Sequence, residues 1–197
     1  MAAIAPRVLA LGIDPGTRHL GWGLVRRDGA RLSHVAHGTL HLDAAAPLAS
    51  RLLDLDRRLS GLLVEHHPDV AAVETIFFHK DAQAAAKLGH ARGVVLLALA
   101  RQGITTCEYA PARVKRTIAG TGQAKKAQVA RMVCALLGLA AAPGADAADA
   151  LALALTHLRG GDLTAALAAP REGLARGRRG KSRGRSILRA LARERGA

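Results

Sequence analysis

The sequence predicts an α/β protein in which helices flank a mixed β-sheet. An early and continuous apolar run, Val8–Ile13, is typical of a strand that is buried on both faces. Two more strand patterns follow it through short turns, and this close succession favours antiparallel pairing. Two later apolar runs alternate with segments of helical period, which indicates strands joined by helices in a parallel part of the sheet.

The first half of the chain supplies three antiparallel strands and one helix. After Val8–Ile13, a second strand is predicted over Leu20–Val25. The dipeptide Asp28-Gly29 is a hairpin signal, so the third strand, Arg31–Leu42, pairs back onto the second. Leucines recur at helical spacing across Pro47–His67, which predicts an amphipathic helix.

The second half of the chain alternates helices with the two remaining strands. Pro68 precedes a strand predicted over Asp69–Ile76, and a long helix over Asp81–Gln102 leads to the last strand, Ile104–Tyr109. Three helical patterns follow, at Ala112–Ala119, Lys126–Leu137 and Asp146–Leu158.

The composition favours a polyanionic partner and argues against several other classes. The chain has 197 residues and a formal net charge of +14, which is typical of nucleic-acid-binding proteins. No stretch reaches the roughly 20 apolar residues of a membrane span, and the N-terminus lacks a secretory signal pattern. Cys107 and Cys134 are too few for a disulfide scaffold. We therefore expect a cytoplasmic protein without membrane contact.

Positive charge is concentrated at the C-terminal end. Residues 159–197 hold 11 basic and 3 acidic side chains, a net charge of +8, and they are rich in Arg and Gly. Because few of these residues could form a core, we expect a flexible basic tail. The folded domain is then residues 1–158.

Four acidic residues occupy unusual places in the pattern. Asp14 ends the first apolar strand and Glu74 ends another, while Asp146 and Asp149 are three residues apart and would share one face of a helix. Carboxylates are rarely buried without a partner or a metal. If the two strand ends and the helix meet, the four side chains form one cluster.

Such a cluster requires positive charge to remain ionised. Hard oxygen ligands select Mg²⁺ or Mn²⁺, and two such ions about 3.5–4 Å apart can support in-line attack on a phosphodiester. Each carboxylate also has a simpler interpretation: Asp14 could begin a turn with Pro15 and Gly16, and Asp146 could cap a helix with Asp149 in its first turn. The combination of all four favours the metal site.

Four blocks of the sequence resemble the RuvC family of Holliday junction resolvases. They are LGIDPGTRHLGWGLV, AVETIFFHKDAQAAAKLGHARG, YAPARVKRTIAGTG and ADAADALALALTHL, in similar order and spacing from about Val8 to Leu158. The resemblance implies a ribonuclease H-like fold and a homodimer that cuts four-way DNA junctions with divalent metal. It also implies a branch-migration motor as a partner, in recombination and repair.

Particular residues acquire roles through this resemblance. It implies that Asp14, Glu74, Asp146 and Asp149 are catalytic and hold two Mg²⁺ ions, for which Mn²⁺ could substitute. It further implies DNA contacts for Phe77, which would stack on a base at the crossover, and for Lys115 and Lys126, with Phe78, Arg116 and Lys125 as their neighbours. The helix Asp81–Gln102 would form the dimer contact.

Two other functions agree with parts of the sequence. A non-catalytic protein that binds junctions would account for the net charge, although it would not need four carboxylates, which repel phosphate. An actin-like ATPase also starts with a strand and an Asp-x-Gly-Thr loop, which matches Asp14 to Thr17, but the chain is short for two such domains. We therefore expect a metal-dependent endonuclease that leaves 5′-phosphate and 3′-hydroxyl ends.

Overall fold

Residues 7–75 and 82–160, which the computed structural model describes, form five strands and five helices. The strands are β1 (Val8–Asp14), β2 (His19–Asp28), β3 (Arg31–His41), β4 (Val70–Glu74) and β5 (Thr105–Tyr109). The helices are α1 (Leu48–His66), α2 (Ala82–Arg101), α3 (Pro111–Ala119), α4 (Lys126–Leu137) and α5 (Ala145–Arg159).

The strands form one sheet in the order β3-β2-β1-β4-β5. β2 pairs antiparallel with β1 and β3, whereas β4 pairs parallel with β1 and β5. This topology confirms the predicted mixed sheet, and each predicted element is present with its end shifted by a few residues. The hairpin predicted at Asp28-Gly29 is also confirmed, because Gly29 adopts a φ of 59° between β2 and β3.

Alternation along the strands divides the apolar side chains between two cores. On one face, side chains such as Ala10 and Ala72 pack with α3, α4 and α5. On the other face, side chains such as Leu11 and Val73 pack with α1 and α2. Both faces of β1 and β4 are therefore covered, which explains why these strands are continuously apolar rather than alternating.

Helix α5 is buried around almost its whole circumference. Every residue from Ala147 to Leu158, apart from Asp149, is buried. The helix contacts β1 and β2 on one side and α3 and α4 on the other. Its position between two layers accounts for its small and apolar composition, and it places the two aspartates of its first turns beside the sheet.

Some predicted residues lie outside the described part of the chain. These are Ile76, which the sequence assigns to the fourth strand, Phe77, Phe78, Asp81, with which the predicted long helix begins, and the tail from residue 161 onward. Among the helices of the described residues, none combines the length and the apolar character that crossing a membrane requires.

Candidate active site

Two of the predicted carboxylates occupy neighbouring strand ends. Asp14 is the last residue of β1 and Glu74 is the last residue of β4. Because Ile13 pairs with Val73 in the parallel register, the next residue of each strand lies at the same level of the sheet. Alternation then directs both carboxylates to the face that α5 covers, the same face as Ala10 and Ala72.

Three glycines in β1 and β2 allow α5 to approach this face closely. A Cβ atom on Gly12 would lie 1.8 Å from the carbonyl oxygen of Ala150, and one on Gly21 would lie 2.0 Å from that of Asp146. A Cβ on Gly23 would lie 2.7 Å from the side chain of Leu151. The absence of these side chains therefore determines how near the aspartates of α5 come to Asp14, which pairs with Gly21.

The start of α5 excludes the capping interpretation of Asp146. The N-cap residue is Gly144, without a side-chain hydrogen bond, and Asp146 lies inside the first turn. Asp14 pairs with Gly21 as the last residue of β1, directly before the connection to β2, so its place before a turn is compatible with its place at the cavity described next.

A cavity of about 290 Å³ lies where β1, β4, α3, α4 and α5 meet. Three of the four carboxylates line it, together with two lysines and an apolar wall: Asp14, Glu74, Asp149, Lys115, Lys126, Pro111, Val114, Val129 and Leu153. Asp146 does not line this cavity, but its charge acts on Asp14. The structure thus brings the strand ends and the helix together as the sequence predicts.

Burial and mutual repulsion raise the pKa values of the strand-end carboxyls. The pKa of Asp14 rises to about 7, first because the side chain is desolvated and then because Glu74, Asp149 and Asp146 are close; Lys126 opposes the increase. The pKa of Glu74 is also raised, by desolvation and by Asp149, against the effect of Lys126 and Lys115. These carboxyls therefore become easier to ionise when cationic charge enters the cavity.

Lys126 is the cation in direct contact with this cluster. Its Nζ donates a hydrogen bond to Oδ2 of Asp149 over 2.8 Å. That hydrogen bond is the main reason why the pKa of Lys126 is raised, and attraction to Asp149, Asp14 and Glu74 adds to it. Lys126 lies in the first turn of α4, so this helix carries a positive charge to the mouth of the cavity.

The residues at the cavity fit divalent metal ions by their donor chemistry. Carboxylate oxygens are the ligands that Mg²⁺ and Mn²⁺ prefer, and a bound cation would counteract the desolvation and the repulsion that raise the pKa values of Asp14 and Glu74. Within residues 7–75 and 82–160, no three His, Cys, Asp or Glu side chains are already grouped closely enough to hold an ion. The site is therefore an open one, whose carboxylates would turn inward around a cation.

The other predicted basic residues surround the cavity at different depths. Lys115, on α3, lines it together with Lys126. Arg116 and Lys125 are exposed neighbours of these two lysines and do not line the cavity.

Sequence reasoning overlooked a hydrogen bond that joins α5 to the end of β5. The Tyr109 hydroxyl lies 2.8 Å from Nδ1 of His157, and both side chains are buried. The backbone carbonyl of Tyr109 also accepts a bond from the Thr75 amide, directly after Glu74. Two features of the sequence could have indicated this contact: Tyr109 is the one tyrosine of the chain, and His157 lies inside an apolar helix. Buried polar side chains of this kind need hydrogen-bond partners.

The chain is similar to known proteins in both sequence and fold. The family model described as "Crossover junction endodeoxyribonuclease RuvC" matches residues 10–157. A protein of that description from Sorangium cellulosum is 60% identical over 159 residues, which cover 81% of this chain and 89% of the relative. Another, from Sphingopyxis alaskensis, is 48% identical over 150 residues, 76% of this chain and 96% of the relative.

Two solved structures share the fold. T. thermophilus RuvC in complex with Holliday junction substrate matches with a TM-score of 0.75 and 37% identity, covering 81% of this chain and 98% of that one. The yeast mitochondrial Holliday junction resolvase Ydc2 matches with a TM-score of 0.57 over 80% of this chain and 82% of that one. Its identity of 15% makes this second likeness one of fold alone. The fold is thus ribonuclease H-like, as the resemblance in the sequence implied.

Proposed function

The chain belongs to the RuvC family of crossover junction endodeoxyribonucleases, and we propose that Asp14, Glu74, Asp146 and Asp149 form its hydrolytic centre. It is a nuclease of a metal-dependent family whose activity serves recombination and repair. The meeting of Asp14, Glu74 and Asp149 in one cavity with two lysines carries the assignment. Neither the non-catalytic binding protein nor the actin-like ATPase finds support in the comparisons.

The cofactor we propose is a pair of Mg²⁺ ions, for which Mn²⁺ could substitute. When bound, such ions lower the pKa of water and neutralise charge on the phosphate that is attacked. The carboxylates of this chain would hold them, since Asp14 and Glu74 come from rigid strand ends and the aspartates from a helix fixed between two layers. The backbone positions of the four residues are thus fixed before substrate arrives, and rotation of the side chains would gather the carboxylates around a cation.

Lys126 and Lys115 act on the same cavity from its open side. In the described structure, Lys126 neutralises Asp149 directly, over 2.8 Å. A phosphate with its cations in the cavity would compete for the lysine ammonium, so Lys126 can exchange a carboxylate partner for a phosphate partner. Lys115 faces the same space and adds a second charge that favours a phosphodiester there.

The DNA contacts we propose extend outward from this centre. Arg116 and Lys125 are exposed beside the cavity lysines and would contact backbone phosphates of a four-way junction. Phe77 and Phe78 follow Glu74 by three and four residues, and we assign to them stacking on bases at the crossover, an interaction worth about 1–3 kcal/mol per base. The basic tail, residues 159–197, would add affinity that depends on salt.

A homodimer would place two such centres on the two equivalent strands of a junction. Helix α2 offers a suitable surface, since Gly89 and Gly93 have open space where a Cβ would be and Leu97 is 49% exposed. These residues recur at helical spacing, while Val95 and Leu99 of the same helix are buried. We further propose that the dimer acts in the cytoplasm with a branch-migration motor.

The direct test uses a synthetic four-way junction and a linear duplex with the same arms. With Mg²⁺, we expect paired and symmetric nicks that carry 5′-phosphate and 3′-hydroxyl ends, on the junction only, and no cutting with EDTA. Tight junction binding without cutting, in several divalent metals and over several crossover sequences, would instead favour the non-catalytic protein.

A further inference from the structure

Two exposed histidines face each other across the open end of the β2–β3 pair. His19 begins β2, and His41 ends β3 directly opposite to it in the antiparallel register. Their Nδ1 atoms are 3.0 Å apart, with ring centroids separated by 5.1 Å and ring planes inclined by 77°. The pair is outside the carboxylate cavity and takes no part in the proposed hydrolysis.

The separation of the two Nδ1 atoms matches two adjacent ligands of one metal ion. Imidazole nitrogens bind Zn²⁺ and similar ions at about 2.0–2.1 Å, so nitrogens 3.0 Å apart subtend about 90° at the ion. This is the angle between neighbouring ligands in octahedral and square-planar geometry, which Ni²⁺ and Cu²⁺ adopt. Because both side chains are exposed, water can fill the remaining positions.

The backbone holds both histidines in this arrangement. Next to the pair, the amide of Leu42 donates to the carbonyl of Arg18 over 2.8 Å, which ties the two chain segments together beyond the last strand pair. Nη1 of Arg58 donates to the carbonyl of His41 over 2.7 Å. The charge of Arg58 is in turn compensated by Asp54, whose Oδ2 lies 3.5 Å away, so it opposes a nearby cation less strongly.

A second histidine pair on β3 shows that closeness alone does not make this geometry. A register shift after Leu24 brings His34 and His37 to one face, with Nε2 of His34 2.7 Å from Nδ1 of His37. Two nitrogens 2.7 Å apart would subtend an angle of about 80° at an ion 2.1 Å from each, and this angle is narrower than the one between adjacent ligands normally is. Both pairs are hydrogen-bonded when their rings are neutral, but only the wider separation of His19 and His41 also suits two adjacent ligands of one ion.

We propose that His19 and His41 bind one divalent ion of the borderline class, represented by Ni²⁺ or Cu²⁺, through their Nδ1 atoms. Imidazole selects these ions, whereas the carboxylate centre selects Mg²⁺ or Mn²⁺, so the two sites differ in metal preference. Alternation places His19 on the same sheet face as Gly21, one pleat beyond the level of Asp14. A cation here would therefore add positive charge beside the carboxylate cavity.

The test is calorimetric titration of the untagged full chain with NiCl₂ in the presence of 10 mM Mg²⁺, which would occupy the carboxylates. We expect one Ni²⁺ per chain, and at least about tenfold weaker binding in His19→Gln and in His41→Gln, since each removes one of two ligands. The matched control is His90→Gln, because His90 is another exposed histidine but lies on α2, away from the pair. Its affinity should equal that of the wild type.

A spectroscopic measurement separates coordination from general attraction of a cation. With one equivalent of Cu²⁺, pulsed electron paramagnetic resonance should detect two imidazole ligands in the wild type and one in either single variant. Unchanged Ni²⁺ affinity in the double variant His19→Gln/His41→Gln would overturn the proposal, as would a site lost only in His34→Gln/His37→Gln.

Discussion

At the scale of single residues, Asp14 is a carboxyl whose ionised form is unfavourable in the folded protein. Its carboxyl is desolvated at a strand end and surrounded by three other acids, and Lys126 compensates only part of this repulsion. Carboxyls with strongly perturbed pKa values cluster at functional sites, which agrees with the role proposed for Asp14. The repulsion that makes the metal-free protein less stable also favours the binding of a cation in the cavity.

The metal-free protein should therefore gain stability from Asp14→Asn, and the gain should depend on pH. The folded-state pKa of Asp14, about 7, lies above the unfolded value of 3.8, so wild-type stability decreases as the pH rises between these values. At pH 8 with EDTA, we expect Asp14→Asn to be more stable by about 2 kcal/mol in urea unfolding, a figure reduced for access of water. Toward pH 4 the difference should disappear.

Mg²⁺ supplies the control for this experiment. It should stabilise the wild type more than Asp14→Asn, because only the wild type has the complete set of carboxylates. An equal difference in stability at pH 8 and pH 4 would show that the ionisation of Asp14 does not destabilise the fold.

At the scale of elements, the essential contact is the one between α5 and the β1–β2 pair. The helix brings Asp146 and Asp149, the strand brings Asp14, and Gly21 determines the distance between them. Near the other end of α5, the hydrogen bond between the Tyr109 hydroxyl and His157 also holds this helix against β5. The geometry of the site thus depends on backbone packing as much as on the acidic residues.

Gly21→Ala tests this contact without removing any charged group. The new methyl group would lie 2.0 Å from the carbonyl oxygen of Asp146, so α5 must move away from the sheet. We expect at least about 100-fold slower junction cleavage, because a displacement near 1 Å disturbs catalytic geometry to this extent, together with about 2 kcal/mol of lost stability. Cleavage rate and urea unfolding measure the two effects.

Gly61→Ala is the matched control for that substitution. Gly61 lies on α1 with open space where the methyl group would be, so its replacement should leave cleavage unchanged and raise stability by up to about 1 kcal/mol. Wild-type cleavage by Gly21→Ala would contradict the role of the glycine contact.

The elements could be predicted from the sequence because their patterns are strong. Val8–Asp14 and Val70–Glu74 are apolar on both faces, and α1 has a clear amphipathic period. The role of Gly21 could not be predicted, since a glycine in a strand pattern does not reveal which helix will cover it. The position of Lys126 against Asp149 likewise requires the packing of α4 on α5, which no local pattern encodes.

At the scale of the whole molecule, the positive charge and the proposed two-fold symmetry are the properties that suit a four-way DNA junction. The net charge of +14 attracts DNA to the protein as a whole. The carboxylates that line the cavity repel phosphate locally until cations enter. The net charge was evident from composition alone. The proposed dimer surface was not evident, because a helix buried against a partner and one buried in a core have similar apolar patterns.

Leu97→Glu tests the proposed dimer. Leu97 is exposed on α2, so the substitution should leave the fold of the protomer intact while placing two like charges in a symmetric contact. We expect a monomer by analytical ultracentrifugation and loss of paired, symmetric nicking. Leu53→Glu is the control, since Leu53 is similarly exposed on α1. A dimer that persists in Leu97→Glu would place the contact elsewhere.

The most direct test of the four-carboxylate centre compares cutting with binding in single amide variants. Asp14→Asn, Glu74→Gln, Asp146→Asn and Asp149→Asn are measured for single-turnover cleavage and for junction affinity, beside Glu65→Gln, an exposed carboxylate of α1. We predict at least about 100-fold slower cleavage in each of the four, with junction affinity kept and the Glu65 control at the wild-type rate. Wild-type cleavage by any of the four would remove that residue from the centre, and by all four would contradict the account.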